Sequence, residues 1–581
     1  MTDFKQLNDL VQSGAVAAAV ALMEKIDRSS MDERTCLLLA DCYSQLGQVN
    51  LARELRHVAI DISQKGLILK QAGHALLEEN FPAAESLLRE RLRENSHDVE
   101  AARMLAELAI ATGSLEEGLR ILERCLNMAP EFHHARLNYA DVLCKLEYYE
   151  LALAEIDALE KIAPGDIAHR VIKAATFVRM GRYSDARQIY SELNQLRPND
   201  AGLWNSTGHT VKTLGKADES IAAYRKAIEA DSSDGRAYWN LANMKTYRFA
   251  GNEIESMKKQ LESGLRKDDE AHLCFALGKA LEDASQFNES FAWYQRGNAL
   301  IRSGQYYDSG DVAELVDRLI KFFSGDQIRL PADFASTQCA PIFIVGLPRS
   351  GSTLVEQILS AHSQIDGTKE LPFIPALVRE FGMVRFGGRQ TSYPESLSEL
   401  STSTLLDLGA KYIRRAAPLR AQAPFFIDKL PNNFLHIGLI KRILPAARII
   451  DVRRDPMSSC FSCYKQLFAS GQAFSYSLTD LGRYYRDYER LMAHWDVCYP
   501  GQIHRVVYEQ LVDNFDHEVA RLIQYCGLPY ELACRDFYKS NRPVATPSAE
   551  QVRQPINRKG MSAWKPYEQH LGELRQALVL R

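Results

Sequence analysis

Between residues 40 and 242 a small position returns every 33 or 34 residues, at Ala40, Gly73, Ala106, Ala140, Ala174, Gly208 and Ala242. Seven residues after most of these comes a turn residue (Gly47, Asn80, Gly113, Gly181, Gly215). Twelve residues after most of them comes a second small one (Ala52, Gly118, Ala152, Ala186, Ser220). Pro130, Pro164 and Pro198 fall at one phase of the period. The pattern predicts antiparallel helix pairs: small residues let two helices approach, glycine ends the first and proline stops the second. A final unit at 277–290 keeps the pattern with two extra residues before it, and 245–251 breaks it, predicting an irregular connection there. After an amphipathic helix expected at 312–323, the period changes. Short β-rich runs now alternate with helical stretches, which predicts an α/β sheet with strands at 342–345, 425–428, 449–452 and 505–507.

One of these transitions organises the second half. An apolar run ends in Gly346-Leu-Pro348 and is followed at once by a helical pattern with Leu354 and Ile358 on one face. Strand, tight turn and helix together put unpartnered N–H groups at the helix start, from Arg349 through Ser350, Gly351, Ser352 and Thr353, where they form a seat for an anion. Ser352 and Thr353 add hydroxyl donors and Arg349 a permanent charge. The Gly-Lys-Ser/Thr signature is absent, so no lysine for a γ-phosphate and no Mg²⁺ site is implied. A kinase-like reading is correspondingly poor.

Composition narrows the picture modestly. A chain of 581 residues is too long for one core, and about two to four domains are expected. A net charge of −4 gives no reason to expect nucleic-acid binding, so basic sites must be local. No apolar run approaches the ~18 residues of a membrane span. The apolar stretch 15–23 is read as a helix of the first repeat rather than a signal sequence. Eleven cysteines without framework spacing suggest buried thiols in a reducing compartment, so a cytoplasmic location is expected. Cys460 and Cys463 have no second pair or histidine cluster beside them and are read as packing residues. His362 is read as packing or capping at a helix end, and Arg453 as a solvated or sheet-edge neighbour.

The repeats resemble the tetratricopeptide repeat, as in Ala174-Ala-Thr-Phe-Val-Arg-Met-Gly-Arg-Tyr-Ser-Asp-Ala186. Pro348-Arg-Ser-Gly-Ser-Thr353 resembles the 5′-phosphosulfate loop of the sulfotransferase family, most closely its tyrosylprotein branch. Ile449-Ile-Asp-Val-Arg-Arg-Asp-Pro456, with Ser462 beyond it, is similar to that family's 3′-phosphate motif, which implies that Arg454 and Ser462 hold one phosphate. The segment from Ser548 to Asn557, continuing into Arg558-Lys-Gly-Met-Ser-Ala-Trp-Lys565, resembles its C-terminal nucleotide-binding element. The resemblance implies cofactor contacts from Tyr508, Gln551, Arg553, Asn557, Arg558 and Lys559, and catalytic roles for Glu370, Lys429 and Ser548. Glu370 stands 21 residues beyond Arg349 and Lys429 stands 25 before Arg454, both family spacings. Ala563 takes the place of a lysine in the tyrosylprotein branch, and Arg553, Arg558 and Lys559 are the candidates to supply that charge.

The expected architecture is therefore two-domain. An all-α tetratricopeptide solenoid (1–304) and a connecting helical region (305–340) precede an α/β sulfotransferase domain with a parallel sheet and phosphate-binding loop (341–581). The resemblance implies transfer of a sulfuryl group from 3′-phosphoadenylyl sulfate, as co-substrate and without a metal, to an acceptor hydroxyl. A carboxylate general base takes the hydroxyl proton, and cationic and N–H groups hold the charge growing on the leaving oxygen. A tyrosine in a peptide or protein bound by the repeat groove is one acceptor. A glycan, lipid or small phenol is another, since Pro372 and Ala376 stand where the tyrosylprotein branch has arginines. The repeats bind a protein partner, dimerise the chain or scaffold the second half. A nucleotide-binding scaffold without turnover is the further alternative.

Overall fold

The computed structural model describes residues 18, 39–40, 42–43, 48, 51–52, 54–55, 67–78, 80–96, 98–130, 132–324, 340–381, 385–386, 389–390, 392–421, 423–469, 471–540, 542–544, 546, 548–558 and 560–579. The apolar stretch 15–23 lies almost wholly outside them. The chain divides into two compact units, 1–240 and 241–581.

The first unit is a helical solenoid. Its described helices pair as Leu67–Leu77 with Phe81–Glu94, Val99–Ala111 with Leu115–Met128, His133–Lys145 with Tyr149–Ile162, Ile167–Arg179 with Tyr183–Leu196, and Ala201–Thr213 with Ala217–Ala230. Asp98, Asp166 and Asp200 cap first helices by accepting from Ala101, Ala168 and Leu203 amides. Gly113, Gly181 and Gly215 take left-handed φ of 85°, 82° and 78° between partners. Glu147, at the same phase, takes φ 65° without being glycine, a strain of order 1 kcal/mol that the flanking pair must outweigh. The small positions are buried; a Cβ on Gly208 would stand 2.3 Å from the Tyr224 ring. Ser220 Oγ donates to Gly208 O over 2.9 Å.

The second unit opens on the end of helix Gly235–Ala242, followed by the irregular connection at 243–250, where Lys245 has φ 62°. Helix Gly251–Leu261 follows, and then the pair Lys267–Asp283 and Phe287–Ser303 repeats the solenoid contact within this unit. A Cβ on Gly278 would stand 2.7 Å from the Tyr294 ring, and Ser290 Oγ donates to Gly278 O over 2.6 Å. Helix Ser309–Phe322 is the expected amphipathic one.

The sheet has five parallel strands: β1 (Ala340–Gly346), β2 (Ile365–Gly367), β5 (Phe425–Lys429), β6 (Arg448–Arg453) and β7 (Ile503–Val507) in the order β2-β5-β1-β6-β7. A two-stranded ribbon, β3 (Arg385–Phe386) and β4 (Arg389–Gln390), is separate. Four of these strands match the expected ones; β2, three residues long at the edge, is too short to leave a pattern. Ile342, Ile344, Ile427, Ile450, Val452 and Val506 pack on one face with Val355 and Ile358. On the other, Tyr412 packs against Phe343 and stacks on Phe426. Both faces are covered, as a parallel sheet requires. β1 and β6 are neighbours, and the chain leaves β1 toward β2 but leaves β6 toward β7, in opposite lateral directions. Crevices form at the carboxyl ends of strands where connections diverge in this way.

Candidate active site

The loop after β1 is shaped by two close approaches. Gly346 has φ 140°, and a Cβ there would stand 2.5 Å from Val452 O on β6. Gly351 has φ 107°, and its Cβ would stand 2.7 Å from the Tyr508 ring. Only glycine meets both demands. Arg349 is itself left-handed, with φ 67°, and helix Ser352–Ser360 begins at once. Its amide at Leu354 is bonded to Gly351 O, so the amides of Ser352 and Thr353 precede the first helical bond and sit at the positive end of the dipole.

Arg349 turns across the site. Its Nε donates to Ser462 Oγ over 3.2 Å and its Nη1 to Ser548 Oγ over 2.6 Å. Burial pushes its guanidinium down to about 10, with neighbouring Arg454 adding to the effect, so it stays charged at neutral pH. Arg454 donates to Arg349 O over 3.0 Å and to Gly560 O, and lies 4.9 Å from the Tyr508 ring centroid. Its Nε is buried and has no hydrogen-bond partner among the described residues. Ser462 sits two turns into helix Pro456–Tyr464, whose start is capped by Asp455 accepting from the Ser458 amide.

Glu370 and Lys429 meet at the end of β5. Lys429 is 1% exposed, donates to Glu370 Oε1, and lies 4.0 Å from Glu356 Oε2. Burial alone would lower the Lys429 pKa, but the two carboxylates outweigh it and raise the ammonium above its usual value. Glu356 in turn accepts from Arg542 over 2.8 Å. Half the Glu370 side chain is exposed, so one face remains open to an incoming group. Next to Lys429, Asp428 is buried and accepts from Tyr412 OH over 2.7 Å and from the Leu371 amide over 3.4 Å. Burial pushes its carboxyl up to about 7, against the pull of those two donors.

A cavity of about 450 Å³ gathers most of the expected residues: Arg349, Gly351, Ser352, Thr353, Arg454, Ser462, Tyr508, Ser548, Gln551 and Asn557 line it. Ser350 is buried outside the lining, and its Oγ finds no partner among the described residues. Glu370 and Lys429 are outside the lining, joined to it through Glu356, one turn along the helix that carries Ser352 and Thr353. Arg553 donates to Arg542 O over 3.3 Å, while Arg558 is exposed and pairs with Asp513 at 2.7 Å; neither lines the cavity. Lys559 lies outside the described residues.

The sequence reading missed one wall. Lys245, Arg248, Lys279, Glu282 and Lys465 also line the cavity. Lys465, three residues past Ser462, could have been found from helical spacing; Glu282, 183 positions earlier, could not. Six basic and three acidic side chains line the cavity. With the unpaired Arg454 Nε, that balance suits a ligand of nucleotide size carrying anionic groups.

His362 is buried, its ring bonded to Pro529 O at 2.8 Å, and Cys460 and Cys463 are buried in helix Pro456–Tyr464. Arg453 donates to buried Asp451 over 2.6 Å. Among the described residues no cluster of three or more histidine, cysteine or acidic side chains is arranged to hold a metal, and no helix is long and apolar enough to cross a membrane.

Residues 341–532 match the model of the sulfotransferase family, and residues 201–234 match a tetratricopeptide repeat. The chain thus joins helical repeats to a sulfotransferase-family domain. An uncharacterized protein of Aquifex aeolicus (strain VF5) is 26% identical over 502 residues, 85% of this chain and 65% of its own length, so the match spans just under two thirds of that relative. A putative protein-tyrosine sulfotransferase of Caenorhabditis briggsae is 24% identical over 238 residues, 38% of this chain and 80% of its own. The sulfotransferase domain of the Synechococcus PCC 7002 olefin synthase is 19% identical with a TM-score of 0.31, covering 41% of this chain and 91% of that domain.

Proposed function

We propose that this protein transfers a sulfuryl group from 3′-phosphoadenylyl sulfate to an acceptor hydroxyl. The observation that carries the reading is the convergence of Arg349, Ser352, Thr353, Arg454, Ser462 and Ser548 on one cavity. The bound donor supplies the activated sulfuryl group, and adenosine 3′,5′-bisphosphate leaves. The loop from Arg349 through Ser350 to Thr353 holds the 5′-phosphosulfate with its amides, hydroxyls and charge. Arg454 and Ser462 hold the 3′-phosphate. Tyr508, Gln551 and Asn557 orient the nucleoside.

Glu370 takes the proton of the acceptor hydroxyl through its open face as the new O–S bond forms. Lys429 and Ser548 hold the charge that develops on the departing oxygen as the old S–O bond breaks. The acceptor we favour is a tyrosine in a peptide or protein. The C. briggsae relative is named for that substrate, and helical repeats offer surfaces to proteins. With Pro372 and Ala376 following the base, acidic flanking residues form no part of this reading.

Calorimetric titration with adenosine 3′,5′-bisphosphate, beside ATP and 5′-AMP, tests it. Binding that requires the 3′-phosphate is expected; equal binding of ATP, or no binding, would overturn the donor assignment.

A further inference from the structure

We infer that Lys465, held in place by Glu282, is a donor-binding residue that adds charge to the 3′-phosphate seat. The inference rests on reading the cavity as a donor site. Along helix Pro456–Tyr464 and its C-cap, Ser458, Ser462 and Lys465 recur at the spacing of a single helical face, and all three line the cavity. Lys465 is thus the next group after Ser462 along the wall that begins at Arg454. Its side chain is only 13% exposed, with Nζ 5.0 Å from the Phe461 ring centroid and 5.4 Å from that of Tyr567. Nζ donates to both Glu282 oxygens at 2.9 Å, and Glu282 also accepts from Tyr294 OH over 3.1 Å.

An ammonium has three donors, so two bonds to Glu282 leave one for a phosphate oxygen. Glu282 and Tyr294 lie on helices Lys267–Asp283 and Phe287–Ser303, the pair that repeats the solenoid contact. That pair therefore takes part in donor recognition. Glu282 is a positioning residue: it restrains the lysine, lowering the entropy to be lost when a phosphate arrives.

The test is titration of the full chain with adenosine 3′,5′-bisphosphate and with 5′-AMP, which lacks only the 3′-phosphate. Lys465→Gln is expected to weaken the bisphosphate about tenfold and to change 5′-AMP affinity by less than about twofold. Lys465→Arg should restore most of the preference, and Glu282→Gln should lose part of it. Equal weakening of both ligands, or of neither, would overturn the inference while leaving the donor site standing. A wild-type protein without preference for the bisphosphate would remove the donor reading and this inference together.

Discussion

Arg349 donates to Ser548 across 199 positions of sequence, over 2.6 Å, while its Nε reaches Ser462 at 3.2 Å. One guanidinium thus ties the loop after β1 to the helix after β6 and to the C-terminal segment. It is the group in which two anion seats, one from each strand end, come together.

Arg349→Gln should therefore weaken adenosine 3′,5′-bisphosphate by about ten- to a hundredfold, the loss of charge-assisted bonds. Ser548→Ala should cost less, because the guanidinium keeps Ser462. Equilibrium titration checks both, and an unchanged affinity for the arginine variant would remove it from the site.

Glu370→Gln keeps the side-chain shape and can still accept from Lys429. It should lower transfer of labelled sulfate by at least about a hundredfold and leave nucleotide affinity unchanged. Joint loss of turnover and binding would mark Glu370 as a structural acid.

Asp428 yields a pH prediction. Its carboxyl is raised from 3.8 to about 7 by burial, so between those values the native chain binds more protons than the unfolded one. Stability from this group is full below about pH 4 and is lost as pH rises through 7, by at most about 1.4 kcal/mol per pH unit. Asp428→Asn imitates the protonated acid, accepting from Leu371 and donating to Tyr412. The variant should be more stable than wild type at pH 8 and match it near pH 4. Denaturant unfolding at the two pH values measures the difference, and an equal gap at both would rule out titration of this group.

Gly346→Ala meets both a φ of 140° and a backbone oxygen at 2.5 Å. A loss of several kcal/mol, about 3 or more, is expected from strain and displaced strands together. Gly278→Ala meets the Tyr294 ring at 2.7 Å, a side chain that can give way, so its cost should be smaller. Thermal melts rank the two, and the reverse order would show that β1 and β6 can separate more easily than the helix pair.

The periodic parts of the fold were legible because they depend on neighbours in sequence. Ala106, Ala140 and Ala174 announced the helix pairs, and 342–345 announced the central strand. The extra unit was visible in Gly278 and Ser290 despite its shifted phase. Glu147 and Ser285 were not: they hold the left-handed turn without the glycine that signals it. In the site, Arg349 and Arg454 follow strand ends and Ser462 lies two turns into the helix after β6, positions that a local pattern marks, so all three could be read. Glu356, Arg542 and Glu282 could not, because their partners are distant in sequence and no local pattern marks a buried ion pair. Arg558 had a fitting motif, yet it faces solvent beside Asp513.

The compact units part at Asn240 and Leu241, although the helical period persists to residue 303. The final repeat has thus changed allegiance: by pattern it belongs to the array, by packing to the unit that holds the sheet. An exchange of arrays between chains of this kind would leave the chemistry whole if spliced near 241. A splice at the end of the period would carry Lys279 and Glu282 away with the exchanged repeats.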